Sequence, residues 1–246
     1  EAAEWVVYMS AFLYGVGLQL KLNLRNKEIF VIYYVVPLVF FLFMGGVFTS
    51  IMPDAYKSLV QSMTVFSVTM GGVLGSPTPL TEIFGSEVKK AYRAGNIPLW
   101  TAAAGNFISG FIHLFIVSLI ILVSAPVLFD AAVPANLSAY FVTLVLLLVV
   151  NLCIGTVFGL FVKSASRLAM FTQFVFLPSI VLSGIMLPAE MLPEALQVVG
   201  KIFPTTWCYK AMCGPVVELG TVWPVLLVTA ALIVISMVKL KRLAAD

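Results

Sequence analysis

Charge is what this chain has least of. Asp, Glu, Lys and Arg make up 10% of its 246 residues, while 61% are hydrophobic and the mean hydropathy is +1.09. A soluble domain carries about a quarter charged residues, so the water-soluble globular classes are excluded. Histidine occurs once, which rules out a His-based metal cluster or an HExxH pair, and no metal site is expected. No serine stands in a GxSxG elbow, and no GxxxxGK(S/T) phosphate cradle is present. The spans hold no paired carboxylates. An enzyme reading fails on this inventory, no cofactor is expected on the chain, and any ATP used must be bound by another one. Three cysteines make no disulfide framework. Cys153 lies in an apolar run as a packing residue, and Cys208 and Cys213 fall on different faces of a helix. The formal charge of +3 comes without a basic stripe interleaved with aromatics, so no nucleic-acid partner is expected.

What is present is apolar length. Residues 29–53, 58–81, 94–129, 131–162, 168–189 and 219–238 contain no charged side chain. Roughly 20 apolar residues cross a bilayer as a helix, so all six runs qualify, and the chain reads as an all-α polytopic membrane protein forming one permease-like domain over residues 1–246. The basic residues cluster as Lys21, Arg25 and Lys27; Lys89, Lys90 and Arg93; Lys163 and Arg167; and Lys239, Lys241 and Arg242. Only Lys57, Lys201 and Lys210 lie elsewhere. Two apolar runs separate each cluster from the next, so all four clusters share one side. Short basic loops favour the cytoplasm, which places both termini there and expects membrane lipids as neighbours. The expected location is a cell membrane, the inner membrane of a bacterium.

The spacing predicts spans over about Ile29–Phe48, Leu59–Gly75, Pro98 to just before Pro126, Leu137–Val162, Leu168–Met186 and Val222–Val238. Gly71-xxx-Gly75 and Gly155-xxx-Gly159 suit close helix packing. Before the first span, Trp5–Leu20 is too short for an easy crossing, and Gly17, Lys21, Arg25 and Glu28 draw one polar stripe. With Trp5, Tyr8 and Tyr14 as headgroup-level aromatics, residues 1–28 read as an interfacial helix rather than a seventh span. The alternation over Leu18–Leu24 also fits a strand, which a membrane does not tolerate with open edges.

Two connections exceed a turn. In segment 78–97, Thr81–Arg93 reads as one short amphipathic helix, with Glu82 and Glu87 leading and Lys89, Lys90 and Arg93 following, in accord with the helix dipole. Its apolar residues Ile83, Phe84, Val88 and Tyr92 have nothing in so short a chain to cover them. Segment 187–221 is cut by Pro188, Pro193, Pro204 and Pro215 into helices too short to span, as re-entrant helices dipping into the outer leaflet would be. Its Leu187, Pro188, Glu190 and Glu194 are candidates for an exterior gate. Polar groups inside spans are costly in lipid, which makes Asn106, His113, Asn151, Gln173, Ser179 and Ser183 candidates for a substrate path. Asn106 and His113 share a helix face by their spacing. The competing reading is inter-helix hydrogen bonding, worth about 1 kcal/mol each, and for the lone histidine that reading is the stronger.

Phe176-Leu-Pro-Ser-Ile-Val-Leu-Ser-Gly-Ile-Met-Leu-Pro188, followed by Met191-Leu-Pro193 and Ile202-Phe-Pro-Thr-Thr206, resembles the signature of the type-2 exporter permeases of ATP-binding-cassette (ABC) transporters. Glu87-Val-Lys-Lys-Ala-Tyr-Arg-Ala-Gly-Asn-Ile-Pro-Leu-Trp100 is similar to their coupling helix, although Lys89 stands where many members carry glycine. The resemblance covers nearly the whole chain. It implies six transmembrane helices with an N-terminal elbow helix, a cytoplasmic coupling helix and an exterior helical hairpin after the fifth span. It also implies a pair of permease subunits, identical or paralogous, driven by separate ABC ATPase subunits that bind ATP and Mg. The ATPase would be met by Glu82, Ile83, Phe84, Gly85, Ser86, Glu87, Val88, Lys89, Lys90, Tyr92 and Arg93. A drug, lipid or peptide is the expected cargo, exported by alternating access. The alternative is a secondary transporter or channel that needs no ATPase; it would show internal repeats or a buried ion pair, and neither is visible.

Overall fold

The computed structural model describes residues 2–51, 55–85, 88–95, 97–186 and 191–245. Within these it describes the side chains other than those of residues 2–11, 48–51, 55, 89, 91, 93, 244 and 245. Every regular element among the described residues is helical. In chain order they are α1 (Ala2–Arg25), α2 (Lys27–Val47), α3 (Leu59–Gly85), α4 (Val88–Ala94), α5 (Leu99–Phe129), α6 (Leu137–Phe161), α7 (Ala165–Val181), α8 (Glu194–Gly200), α9 (Pro204–Cys213) and α10 (Leu219–Ala245). Five of them, α2, α3, α5, α6 and α10, are long and apolar enough to cross a membrane. The fifth expected span, α7, is a shorter apolar helix of 17 residues. The protein is thus an all-α, multi-pass membrane protein.

Local chemistry sets the boundaries. Asn26 opens α2 by accepting from the Glu28 and Ile29 amides at 3.0 and 3.3 Å, as an N-cap side chain does. Asn136 opens α6 by accepting from the Ala139 amide at 3.1 Å. The helix expected to run to Met186 stops at Val181, because the chain turns over Leu182–Gly184 and Gly184 adopts φ 85°, open to glycine. The helix expected to end before Pro126 instead runs to Phe129 with Pro126 inside it. It closes on Asp130 in the left-handed region, where the Ala131 amide reaches back to the Ala125 carbonyl. The N-terminal helix, expected within residues 1–28, runs Ala2–Arg25 and packs along α5.

The largest correction concerns α3. It was expected to end at Gly75, before Pro77 and Pro79, but the helix continues to Gly85. A proline ring clashes with the carbonyl four residues back. Here a π-turn over Gly71–Gly75 inserts one extra residue just before Pro77, and the Ser76 amide bonds the Gly71 carbonyl, five residues back, at 2.9 Å. α2 repeats the arrangement: a π-turn over Val31–Val35 precedes Pro37, with the Val36 amide on the Val31 carbonyl. The expected free-standing amphipathic helix Thr81–Arg93 is therefore joined to the second span: its first part, to Gly85, is the end of α3, and Val88–Ala94 is helical as α4.

α3 is the axis of the bundle. Every residue from Leu59 to Met70 is buried, enclosed by α2, α5, α6, α7 and α9. The main apolar core forms around it with Tyr33, Phe41, Leu114, Ile121, Tyr140 and Leu147.

Candidate functional site

Two ends of the bundle carry the candidate chemistry. At one end Leu80 and Phe84 of α3 meet Leu99 and Ala103 of α5, Leu160 of α6 and Leu243 of α10 in a second, smaller core. Ile83, Tyr92 and Leu240 pack against it. This overturns the expectation that the apolar face of segment 78–97 is uncovered: Phe84 is 8% exposed, because α3 persists far enough to bury it against its own chain. Val88 is the exception at 44% exposed. Glu82, Gly85 and Lys90 are exposed, and Ile83 and Tyr92 half-buried. Burial pushes the Tyr92 hydroxyl above its ordinary pKa, so it stays a neutral phenol. Ser86 and Glu87 lie outside the described residues, as do the side chains of Lys89 and Arg93. A Cβ on Gly85 would stand 3.1 Å from the Lys163 carbonyl, so the end of α3 touches the α6–α7 turn at backbone distance. Lys239 lies 4.8 Å from the centre of the Phe161 ring. The basic clusters at 89–93, 163–167 and 239–242 therefore gather at this one end.

The opposite end carries the return from α7 to α10. Tyr209 of α9 bonds Ser62 of α3 at 3.1 Å, and Asn136 donates to the Pro215 carbonyl at 3.0 Å. Trp207 donates to the Lys201 carbonyl at 2.8 Å and Thr206 to the Gly200 carbonyl at 2.7 Å. These bonds fold α8 and α9 into a hairpin. Cys208 is fully buried, Cys213 is exposed, and both are free thiols. Glu194 is exposed in the first turn of α8. Leu187, Pro188 and Glu190 lie outside the described residues.

Between the ends, the in-span polar residues go to different places. His113 is buried. Its Nδ1 lies 2.7 Å from the Tyr34 hydroxyl of α2 and its Nε2 3.3 Å from the Leu20 carbonyl of α1. With Nε2–H donating and Nδ1 accepting, both ring nitrogens of a neutral imidazole are used inside the chain. One turn away, Asn23 of α1 donates to Ser109 at 2.9 Å, so α1 is fixed to α5 by a polar seam. Asn106 donates to the Ser76 carbonyl at 2.8 Å and thus faces α3, not the α1–α2 side where His113 bonds. Asn151 donates to the Leu147 carbonyl of its own helix at 2.9 Å. Ser179 and Ser183 donate to the Val175 and Ile180 carbonyls at 2.6 and 3.0 Å. Gln173 alone of the six stands exposed, among exposed Met170, Phe171, Phe174 and Leu177.

Residues 7–216 match the family model of the ABC-2 type transporter. The chain belongs to that family. No curated protein matches it. The match runs from within α1 through the hairpin and takes in both ends just described; α10 begins beyond it. This permease is therefore the transmembrane subunit of an ABC transporter, and the family implies an ABC ATPase subunit as its partner.

The buried polar residues of the permease's own axis escaped sequence reasoning. Thr64 bonds Tyr140 at 2.9 Å, and Gln61 and Thr69 each keep a buried oxygen without a partner among the described residues. Their moderate polarity inside an apolar run was the available signal: α3 has the lowest hydropathy of the five long spans.

Proposed function

We propose that the permease is the membrane half of an ATP-driven exporter, working as a pair of subunits and moving a hydrophobic or amphipathic cargo such as a drug, lipid or peptide. The observation that carries this reading is the junction at the basic end. There the buried axis α3 runs unbroken to Gly85, and α4 follows with Val88 and Lys90 exposed. A continuous helix that leads from the centre of the bundle to an exposed segment suits the transmission of force from a separate ATPase. The clusters Lys89–Lys90, Lys163 and Lys239–Arg242 at this end support a cytoplasmic placement. Glu82, Gly85, Val88, Lys90 and Tyr92 are the residues offered to the motor, and ATP with Mg belongs to it. Gln173, the exposed amide on an apolar face, is the in-span polar group best placed to meet cargo or a second subunit, and Glu194 stands at the exterior end.

The test is co-expression with an ABC ATPase subunit and measurement of ATP hydrolysis with and without the permease in lipid vesicles. Stimulated hydrolysis is expected, and Val88→Glu should abolish the stimulation while leaving membrane insertion intact. Absence of any ATPase association, together with ion conductance by the purified chain alone, would establish the ATPase-independent reading instead.

A further inference from the structure

Two π-turns meet in this bundle. Each is followed by a proline: Val31–Val35 by Pro37 and Gly71–Gly75 by Pro77. They touch directly, since a Cβ on Gly75 would fall 2.5 Å from Cε1 of Tyr33. The neighbouring helices also approach this point at backbone distance. A Cβ on Gly72 would fall 2.6 Å from the Asn151 Cβ, and one on Gly155 would fall on the Ser76 hydroxyl and the Gly72 carbonyl. Pro77 has no N–H to give the Gly72 carbonyl, and the Ser76 hydroxyl supplies that bond at 2.7 Å.

Around this crossing, hydrogen-bonding capacity stands unused. The Tyr33 hydroxyl, the Asn106 Oδ1 and the Asn151 Oδ1 are each buried without a partner among the described residues. All three border α3 or its immediate packing. Asn106 holds the Ser76 carbonyl, Asn151 covers Gly72, and the Tyr33 hydroxyl lies 3.3 Å from where a Gly110 Cβ would be. An unmade buried hydrogen bond is destabilising, and a π-turn inserts one extra residue into a helix and is often found at functional positions. One donor and two acceptors left open beside a misregistered turn indicate that another register of that turn would use them.

We infer that the π-turn of α3 is a register switch: displacing its extra residue along the helix re-aims the turn between Gly71 and Pro77 and converts motion of Pro77–Gly85 into repacking of the axis. A shift by one residue rotates the intervening turn by about 100° and slides it about 1.5 Å. The Ser76 hydroxyl and the re-aimed backbone amides can then donate to the Asn106 and Asn151 Oδ1 atoms, and a carbonyl of the turn can accept from the Tyr33 hydroxyl. The segment below the switch is the stretch that leads to α4, so the inference rests on the coupling reading given above. Tightly packed helices have discrete arrangements rather than continuous ones, which suits a two-position device.

Deletion of Leu74, the one half-buried residue of the turn, removes the extra residue and keeps the alignment on either side. A single cysteine replacing half-buried Thr78, in a background whose three native cysteines are substituted, reports accessibility just below the switch. In the ATPase-bound permease, thiosulfonate modification of that cysteine should change severalfold between nucleotide-free and ATP-analogue-bound states. In the Leu74 deletion the ratio should collapse to one while the complex still assembles. Pro77→Ala, which restores the missing N–H without changing length, should lower the ratio in the same direction and serves if the deletion does not assemble. A complex that forms and responds to nucleotide, yet keeps the wild-type ratio in these variants, overturns the switch alone. A permease that recruits no ATPase overturns the coupling reading on which it stands.

Discussion

Gly155 stands where α3 and α6 come to backbone distance, and a single methyl group decides whether they can. Gly155→Ala places carbon on the Gly72 carbonyl and the Ser76 hydroxyl. Backbone cannot yield as a side-chain tip does, so a loss of about 1–3 kcal/mol is expected from overpacking. Gly105→Ala, with nothing within 4 Å of its Cβ, is the neutral comparison, and unfolding of the purified permease in detergent separates the two. His113 offers a second measurement. Its bonds to Tyr34 and the Leu20 carbonyl hold α1, α2 and α5 together, so His113→Ala should cost about 1 kcal/mol, the scale of inter-helix bonds in membranes. His113→Gln should recover part of that loss, and if the histidine acts only as a brace, cargo preference is unchanged in both. The glycine spacing Gly155-xxx-Gly159 was readable in the sequence, and both positions are close approaches, a Gly159 Cβ lying 2.6 Å from that of Leu80. The partners of the polar residues were not readable. Ser62 meets Tyr209 across 147 positions and His113 meets Leu20 across 93, distances over which spacing carries no information.

At the scale of elements, apolar length and clustered charge located the helices, because a bilayer imposes both. They failed at helix ends. Two prolines read as stops lie inside helices instead: a π-turn carries α3 past Pro77, and α5 runs through Pro126 to Phe129. Segment 78–97 was accordingly found in the right place with the wrong shape, half of it being the end of α3. The hairpin after α7 was legible through its prolines, and its thiols allow a check on orientation. Cys213 is exposed and Cys208 fully buried, and a thiol must be reached by the reagent to react. A membrane-impermeant maleimide added outside intact cells should therefore label Cys213. Cys208 should stay unlabelled until the permease unfolds. Labelling of Cys213 only after the cells are opened would invert the proposed orientation.

For the whole molecule, the arrangement separates two tasks. The basic end gathers α3, α4, α5, α6 and α10 around a small core of its own, and the far end is closed over α3 by the hairpin through Tyr209 and Asn136. The axis therefore has a cap at one end and, in the proposed function, the segment offered to the motor at the other. Family membership is consistent with this division.

The enclosure of Leu59–Met70 on every side has an evolutionary corollary. Helices that show lipid on one side accept substitutions in a rhythm of 3.6 residues; this stretch has no permissive side, so a saturation library selected for function should return a flat band of intolerance across it, while α10 shows the ordinary ripple.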